Sequence, residues 1–314
     1  MIPFASTLWP ALLLYSLSGS SPGPSSVRPS FVWQSQAAAS ATLSRHQKLM
    51  AVTTWGIQLT GYGQKRLTNV VQGEFDLVVI DPTDDNAVPW TKSEVSRASQ
   101  GTSAQGKLLI AYLSMGAAES YRPYWKPGWR VGNPAWLLQE DPDWPGNYDV
   151  AYWNADWQRI ALAQLDRAID AGFHGTYMDL IDAYQRNPGR VTARADMVTW
   201  VCRIAAHARA RDPEFLIIPQ NAADLLKDPR YAACVDATGQ EETFVYATDR
   251  PTESQRKRTQ LADYHLWKKA GKPVLTLDYA NKPALISSIY AKARQAGLVP
   301  YVTTVALNTL PPSR

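Results

Sequence analysis

Short apolar or β-branched runs recur along this chain, spaced widely enough for a helix to fit between one and the next. They are WGIQLT (55–60), FDLVVID (75–81), KLLIAYLS (107–114), YDVAYW (148–153), GTYMDL (175–180), FLIIPQN (215–221), ACVDATGQE (233–241) and KPVLTLDY (272–279). Continuous apolar runs of this length suit strands buried on both faces, as in a parallel sheet. Helix-period segments lie between several of them. In DWQRIALAQLDRAIDAG (156–172), Ile160, Leu162, Leu165 and Ile169 share a face and Gly172 supplies a stop; ADMVTWVCRIAAHARA (195–210) is a second. Alternating strands and helices predict βα units, and eight of them predict a single-domain (β/α)8 TIM barrel of α/β class. A ninth run, LVPYVTTVAL (298–307), competes for a place, and YDVAYW is the weakest of the others. The open doubly wound alternative lacks its usual sign, because the first strand is followed by GYGQKR (61–66) and not by a GxGxxG turn.

Ahead of the repeats, residues 8–17 (LWPALLLYSL) form an apolar run too short to span a bilayer, followed by the turn-rich SGSSPGPSS. This pattern fits an export signal, although no Lys or Arg precedes Arg28. A small-residue tract, QAAASATLS (36–44), reads as a cleavage region or linker. The expectation is a disordered leader over 1–49, a barrel domain over 50–314, and a secreted or periplasmic location. No other stretch could cross a membrane.

With 32 Lys+Arg against 28 Asp+Glu, the net charge is +4, but the basic residues are scattered. No basic stripe marks a nucleic-acid surface. Cys202 and Cys234 have no metal-ligand spacing and are expected to be buried thiols, with a disulfide as the lesser alternative. His46, His174, His207 and His265 all miss the predicted strand ends, and no GxSxG elbow occurs, so metal hydrolysis and Ser-His-Asp chemistry are disfavoured. No cofactor or metal is expected. The pattern carries nothing about oligomeric state.

Polar residues close strand after strand: Gln58, Asp81, Ser114 followed by Glu119, Asn154 with Asp156, Asp179 with Asp182, Asn221, Glu241 with Glu242, and Asp278. In a barrel those C-terminal ends meet on the face that carries the active site. Some of them would simply cap helices, Asp156 above all, since it directly precedes a helical run. Asp179 and Glu241 stand out as a carboxylate pair, the equipment of glycoside hydrolysis, in which one acid donates a proton and the other acts as nucleophile or base. Six of the 12 tryptophans, Trp125, Trp129, Trp136, Trp144, Trp153 and Trp157, crowd into 125–157. They suggest a long loop over the barrel mouth whose aromatic faces either stack on sugar rings or pack beneath the loop.

The ordered motifs WGIQL, VVIDP, IAYLSMGAAESYRPYW, GTYMDLIDAY, PQNA, GQEETF and LDYA resemble glycoside hydrolase family 114, the endo-α-1,4-polygalactosaminidases and their TIM-barrel relatives. The resemblance runs from about Trp55 to about Tyr279. It implies cleavage of an α-linked, galactosamine-containing polysaccharide by Asp179 and Glu241. It also implies a sugar site lined by Asp81, Tyr112, Glu119, Arg122, Asp182, Asn221, Asp278 and Tyr279. This chain departs from the family pattern in DLIDAY, in Gln220-Asn221 where a Lys-Asn pair is common, and in Thr243 where a cysteine is common. A second expectation is a catalytically inactive carbohydrate-binding barrel in polysaccharide export or biofilm assembly. A lyase or isomerase on the same barrel is a third.

Overall fold

The computed structural model describes residues 43–102 and 106–312. Most of the expected leader lies outside these residues. Within that stretch, helix Arg45–Met50 is opened by a capping box in which Ser44 and Gln47 satisfy each other's backbone N–H groups, and Leu49 reaches the core.

Eight parallel strands form the barrel: β1 Trp55–Gln58, β2 Leu77–Ile80, β3 Leu108–Ser114, β4 Gly175–Asp179, β5 Leu216–Pro219, β6 Thr238–Glu241, β7 Val274–Tyr279 and β8 Val299–Thr303. Regular ladders join β1 through β5 and β6 through β8. The two sheets meet where Gln220 bridges Gly239, and Asn221 N donates to Gly239 O at 2.8 Å. On the other side, Trp55 Nε1 donates to Val299 O at 2.9 Å and Leu59 N donates to Leu307 O at 2.8 Å, tying β1 to β8 and its following loop. Spatial order follows chain order, as the βα repeat requires.

The ninth run therefore takes the eighth barrel place, and YDVAYW loses it. Its first half belongs to Asn147–Val150, the middle strand of an antiparallel sheet with Ala117–Glu119 and Leu137–Glu140. Strand pairing explains the difference: Asn147–Val150 is paired antiparallel within the insertion, whereas β8 lies parallel to β7 with Tyr301, Val302 and Thr303 buried.

Helix Ala155–Ala171 buries Trp157, Ala161, Leu165 and Ala168 along one stripe and ends at Gly172, whose φ of 91° suits a residue without Cβ. Its N-cap is Asn154, whose side chain accepts from Asp156 N at 2.8 Å, so Asp156 sits in the first turn and is not the cap. Helix Ala193–Arg211 buries Met197, Val201, Ile204 and Ala208 against the sheet side. Inside the barrel, Trp55 lies 6.1 Å from Tyr177 and 5.8 Å from Tyr301, centroid to centroid. Residues from strands on different sides of the barrel thus fill its interior with packed rings.

The cysteine expectation is overturned. Cys202, on helix Ala193–Arg211, is disulfide-bonded to Cys234 at the end of helix Pro229–Cys234, with Cα atoms 5.2 Å apart. Both side chains are half-buried at the seam between these two helices, where the sulfurs meet.

Candidate active site

Asp179 ends β4 and Glu241 ends β6, and both line one cavity of about 330 Å³ at the C-terminal mouth of the barrel. Tyr112, on β3, donates its hydroxyl to Asp179 Oδ2 at 2.6 Å, and Leu180 N donates to Oδ1 at 2.7 Å. The Leu180 donor is placed by a left-handed turn, φ 57°, immediately after the strand. Glu241 is held in a parallel way. Tyr279, at the end of β7, donates its hydroxyl to Oε1, and Asn221 Nδ2 donates to Oε2 at 3.3 Å. Asn221 Oδ1 in turn accepts from Glu241 N at 3.2 Å, fixing the backbone as well as the carboxylate.

Both acids hold their protons more tightly than free carboxyls. Burial, then the negative charge of Glu241, push Asp179 up to about 7, while the Tyr112 and Leu180 hydrogen bonds pull the other way. Burial raises Glu241 also, against the hydrogen bonds from Tyr279, Asn221 and Gln220. Two carboxyls in one low-dielectric pocket cannot both ionise freely, so near neutrality the pair holds one charge and one proton.

A second group borders the cavity. Arg122 lies between Asp81 and Glu119, with Nη1 2.7 Å from Asp81 Oδ2 and Nε donating to Glu119 Oε2 at 2.6 Å. Burial opposes the guanidinium charge, but the two carboxylates outweigh it and hold Arg122 above its usual pKa. Asp81 is raised chiefly by burial, in spite of Arg122. Thr83 N and Oγ1 donate to Asp81 Oδ1, an Asx-type turn that orients the acid. Tyr121 donates to Glu119 Oε1 at 2.6 Å.

Of the residues expected at the site, the structure brings Asp81, Tyr112, Glu119, Arg122, Asp179, Asn221, Glu241 and Tyr279 around this cavity. Asp278 stands behind it: wholly buried, it accepts from Phe244 N at 2.7 Å and Val245 N at 2.9 Å, bracing the loop that follows Glu241. Burial pushes it up to about 6. Asp182 lies along a neighbouring groove beside helix Ser254–Lys269, raised by burial with Arg186 as its main counter-charge.

The tryptophan-rich segment divides in two. Trp125, Trp129, Trp136, Trp157 and Tyr124 pack on one another, with centroid separations of 5.4 Å for Trp125–Trp129, 5.0 Å for Trp129–Trp136 and 5.3 Å for Trp136–Trp157. They form the core of the insertion. Trp153 takes Arg190 over its ring at 4.1 Å. Trp144 differs, being 56 % exposed and lining the cavity. Tyr121, Asp141 and Gln220 line it too, although the strand-end argument singled out none of them. Tyr121 lies inside the motif IAYLSMGAAESYRPYW, between Glu119 and Arg122; Asp141 sits in an insertion whose path the sequence leaves open. Among the described residues, no group of three or more His, Cys, Asp and Glu side chains is placed to hold a metal ion.

Two hydrogen-bonded carboxyls at the open end of a (β/α)8 barrel, lined by tyrosines and an exposed tryptophan, define a glycosidase-type site. The chain matches the family model "Glycoside-hydrolase family GH114" over residues 34–313, and it belongs to that family. An uncharacterized protein of Deinococcus radiodurans is 64% identical over 267 residues, covering 85% of each chain. An uncharacterized protein of Thermotoga maritima is 32% identical, over 83% of this chain and 84% of that one. Among solved structures, Aspergillus fumigatus Ega3 in complex with galactosamine superposes with a TM-score of 0.62 at 21% identity, covering 83% of this chain and 96% of that one. The glycoside hydrolase domain of PelA from Pseudomonas aeruginosa superposes at 0.63 and 17% identity, covering 82% and 97%. At these identities the likeness concerns the fold.

Proposed function

We propose that this protein is an exported glycoside hydrolase that cleaves an α-linked, galactosamine-containing polysaccharide, with residues 50–314 as the catalytic domain behind a leader. The observation that carries the proposal is the pairing of Asp179 and Glu241 in one cavity, each fixed through both oxygens and each raised by burial. Family membership supports the reaction class. The galactosamine in the Ega3 structure supports the sugar. Excess negative charge supports it as well, since among the described residues lining the cavity Arg122 is the single Lys or Arg, lying between Asp81 and Glu119, and an amino sugar brings its own positive charge. The Cys202–Cys234 bond supports export, because disulfides persist in oxidising compartments.

Asp179 is the nucleophile in this reading. Its Oδ1 faces the fixed Leu180 N–H at 2.7 Å, a donor that cannot become an acceptor and so favours the ionised form. In the empty site the charge of Glu241 leaves the shared proton on Asp179, and for the reaction it moves to Glu241, as the positive charge developing at the anomeric carbon favours a carboxylate on Asp179. Asp179 attacks the anomeric carbon as Glu241 protonates the departing glycosidic oxygen. Glu241 next takes a proton from water, which displaces Asp179 and regenerates the free acid. Tyr112, Asn221 and Tyr279 hold the acids; Asp81, Glu119 and Arg122 line the sugar site; Asp278 and Asp182 act from behind or beside it.

The test is incubation with partially deacetylated galactosaminan and measurement of new reducing ends, beside Asp179→Asn and Glu241→Gln. Release by wild type alone is expected. Sugar binding without release would make the barrel a carbohydrate-binding protein instead.

A further inference from the structure

The loop after β5 stands between the two acid-bearing strands. Gln220 N donates to Met178 O at 2.7 Å on the Asp179 side, and Gln220 is bridged to Gly239 on the Glu241 side. Its side chain is 4 % exposed and lines the catalytic cavity. Its amide is among the groups whose hydrogen bonding lowers the Glu241 pKa. A carboxylate only accepts, so the amide nitrogen faces Glu241 and the amide oxygen faces away. That oxygen, Oε1, has no hydrogen-bond partner among the described residues. The neighbouring amide donor is already engaged, since Asn221 Nδ2 donates to Glu241. Tyr112 and Tyr279 likewise spend their hydroxyl protons on Asp179 and Glu241. A buried carbonyl oxygen left without a donor destabilises the empty site, and a donor on the bound molecule removes that cost.

We infer that Gln220 Oε1 accepts a hydrogen bond from the sugar unit seated between Asp179 and Glu241, while its amide N–H groups hold Glu241. Gln220 is then a substrate-contacting residue and a positioning residue at once, joining recognition of the sugar to orientation of the acid. The inference rests on the glycosidase reading above and adds to it the chemical character of the contact, a hydroxyl or amino N–H on the sugar.

Two variants separate the functions. Gln220→Met keeps the bulk and removes both donor and acceptor; Gln220→Glu keeps the acceptor and replaces the amide donor by a carboxyl that raises Glu241 further. Binding of an α-1,4-galactosamine oligomer and of its N-acetylated form is measured by calorimetry, with the pH profile of reducing-end release recorded alongside. Gln220→Met is expected to weaken binding by roughly 10- to 100-fold, and Gln220→Glu to recover most of it. Both variants should move the alkaline limb upward, because Glu241 loses a donor that lowers its pKa. A Met effect confined to the free-amine oligomer places the donor on nitrogen; equal effects on both oligomers place it on a hydroxyl. Binding by Gln220→Met within twofold of wild type overturns the inference, as does a wild type that binds neither oligomer. Wild-type binding without turnover overturns the glycosidase reading alone, because the Gln220 contact is still read from the titrations.

Discussion

The Tyr112 hydroxyl, delivered from β3, donates to Asp179 Oδ2 on β4 at 2.6 Å, so a neighbouring strand holds the carboxyl that the barrel presents to its cavity. This bond lowers the Asp179 pKa against the larger raising effects of burial and Glu241. Tyr112→Phe removes it with little change in volume. The expected outcome is a loss of kcat of roughly 10- to 100-fold, matching one charge-assisted hydrogen bond, and an acidic limb of the pH–rate profile displaced to higher pH. A loss without displacement would point to packing and not to the charge on Asp179.

The same raised pKa has a consequence for stability. Burial and the Glu241 charge lift Asp179 above its ordinary value to about 7, so the folded state binds this proton more tightly than the unfolded chain. Stability from the group is complete below the unfolded carboxyl pKa, near 4, and is lost as pH rises through about 7. Asp179→Asn removes the penalty while abolishing turnover. Denaturant melts should show a gain of about 2–4 kcal/mol at pH 8 that disappears by pH 4. A variant no more stable than wild type at pH 8 would contradict the burial account.

Trp144 and Trp136 lie in one aromatic-rich insertion, yet their substitutions should separate function from folding. Trp144 is 56 % exposed at the cavity, whereas Trp136 is 3 % exposed and packs against Trp129 and Trp157. Trp144→Ala should leave the melting temperature within about 2 °C, since exposed truncations change stability little, and raise KM for polymer about five- to tenfold through a lost stacking face. Trp136→Ala should cost about 3–5 kcal/mol as a core truncation. Thermal melts and polymer kinetics on the two variants decide the matter.

These contrasts mark how far the site could be read from residues. Asp179 and Glu241 were legible because each closes an apolar run, and in a parallel barrel the end of a strand is a place in space as well as in sequence. Asp278 ends a strand in the same way, yet its carboxyl turns to two backbone N–H groups of the loop after β6, a pairing 33 and 34 residues away that no local pattern discloses. YDVAYW and LVPYVTTVAL carry similar apolar content, and what separated them was a partner strand: β8 has β7 beside it and β1 within reach, while Asn147–Val150 finds its neighbours inside the insertion. The tryptophans showed that an aromatic surface existed without showing which rings would bury one another. Cys202 and Cys234 stand 32 residues apart, and only the helix seam between them determined that they meet.

Gly239 is the point at which the barrel floor admits no side chain. A Cβ built there would lie 2.0 Å from the Tyr177 hydroxyl, which reaches across from β4 beneath the two acids. Gly239→Ala must therefore displace a wholly buried ring, at an expected cost of about 1–3 kcal/mol by overpacking. Activity should fall with it, because the displaced ring adjoins both carboxyls. In a Tyr177→Leu background the same alanine should cost much less, a non-additivity that a double-mutant cycle on denaturation midpoints would measure. Full additivity would show that the ring and the glycine are not in contact.

The Cys202–Cys234 bond closes a loop of 32 residues that includes all of β5, the strand between those carrying Asp179 and Glu241. Closing a loop of that length lowers the entropy of the unfolded chain and contributes about 3–4 kcal/mol in the chain-entropy account. Removing it with a Cys202→Ser/Cys234→Ser double variant avoids leaving one reactive thiol behind. The double variant should unfold at a lower denaturant concentration by that amount, and its fully folded form should keep the kcat of the oxidised protein, since the bond lies at a helix seam away from the cavity lining. Reduction of the wild type should lower stability toward the same value and leave the double variant unchanged. If reductant destabilises both proteins equally, the effect lies elsewhere than in this bond.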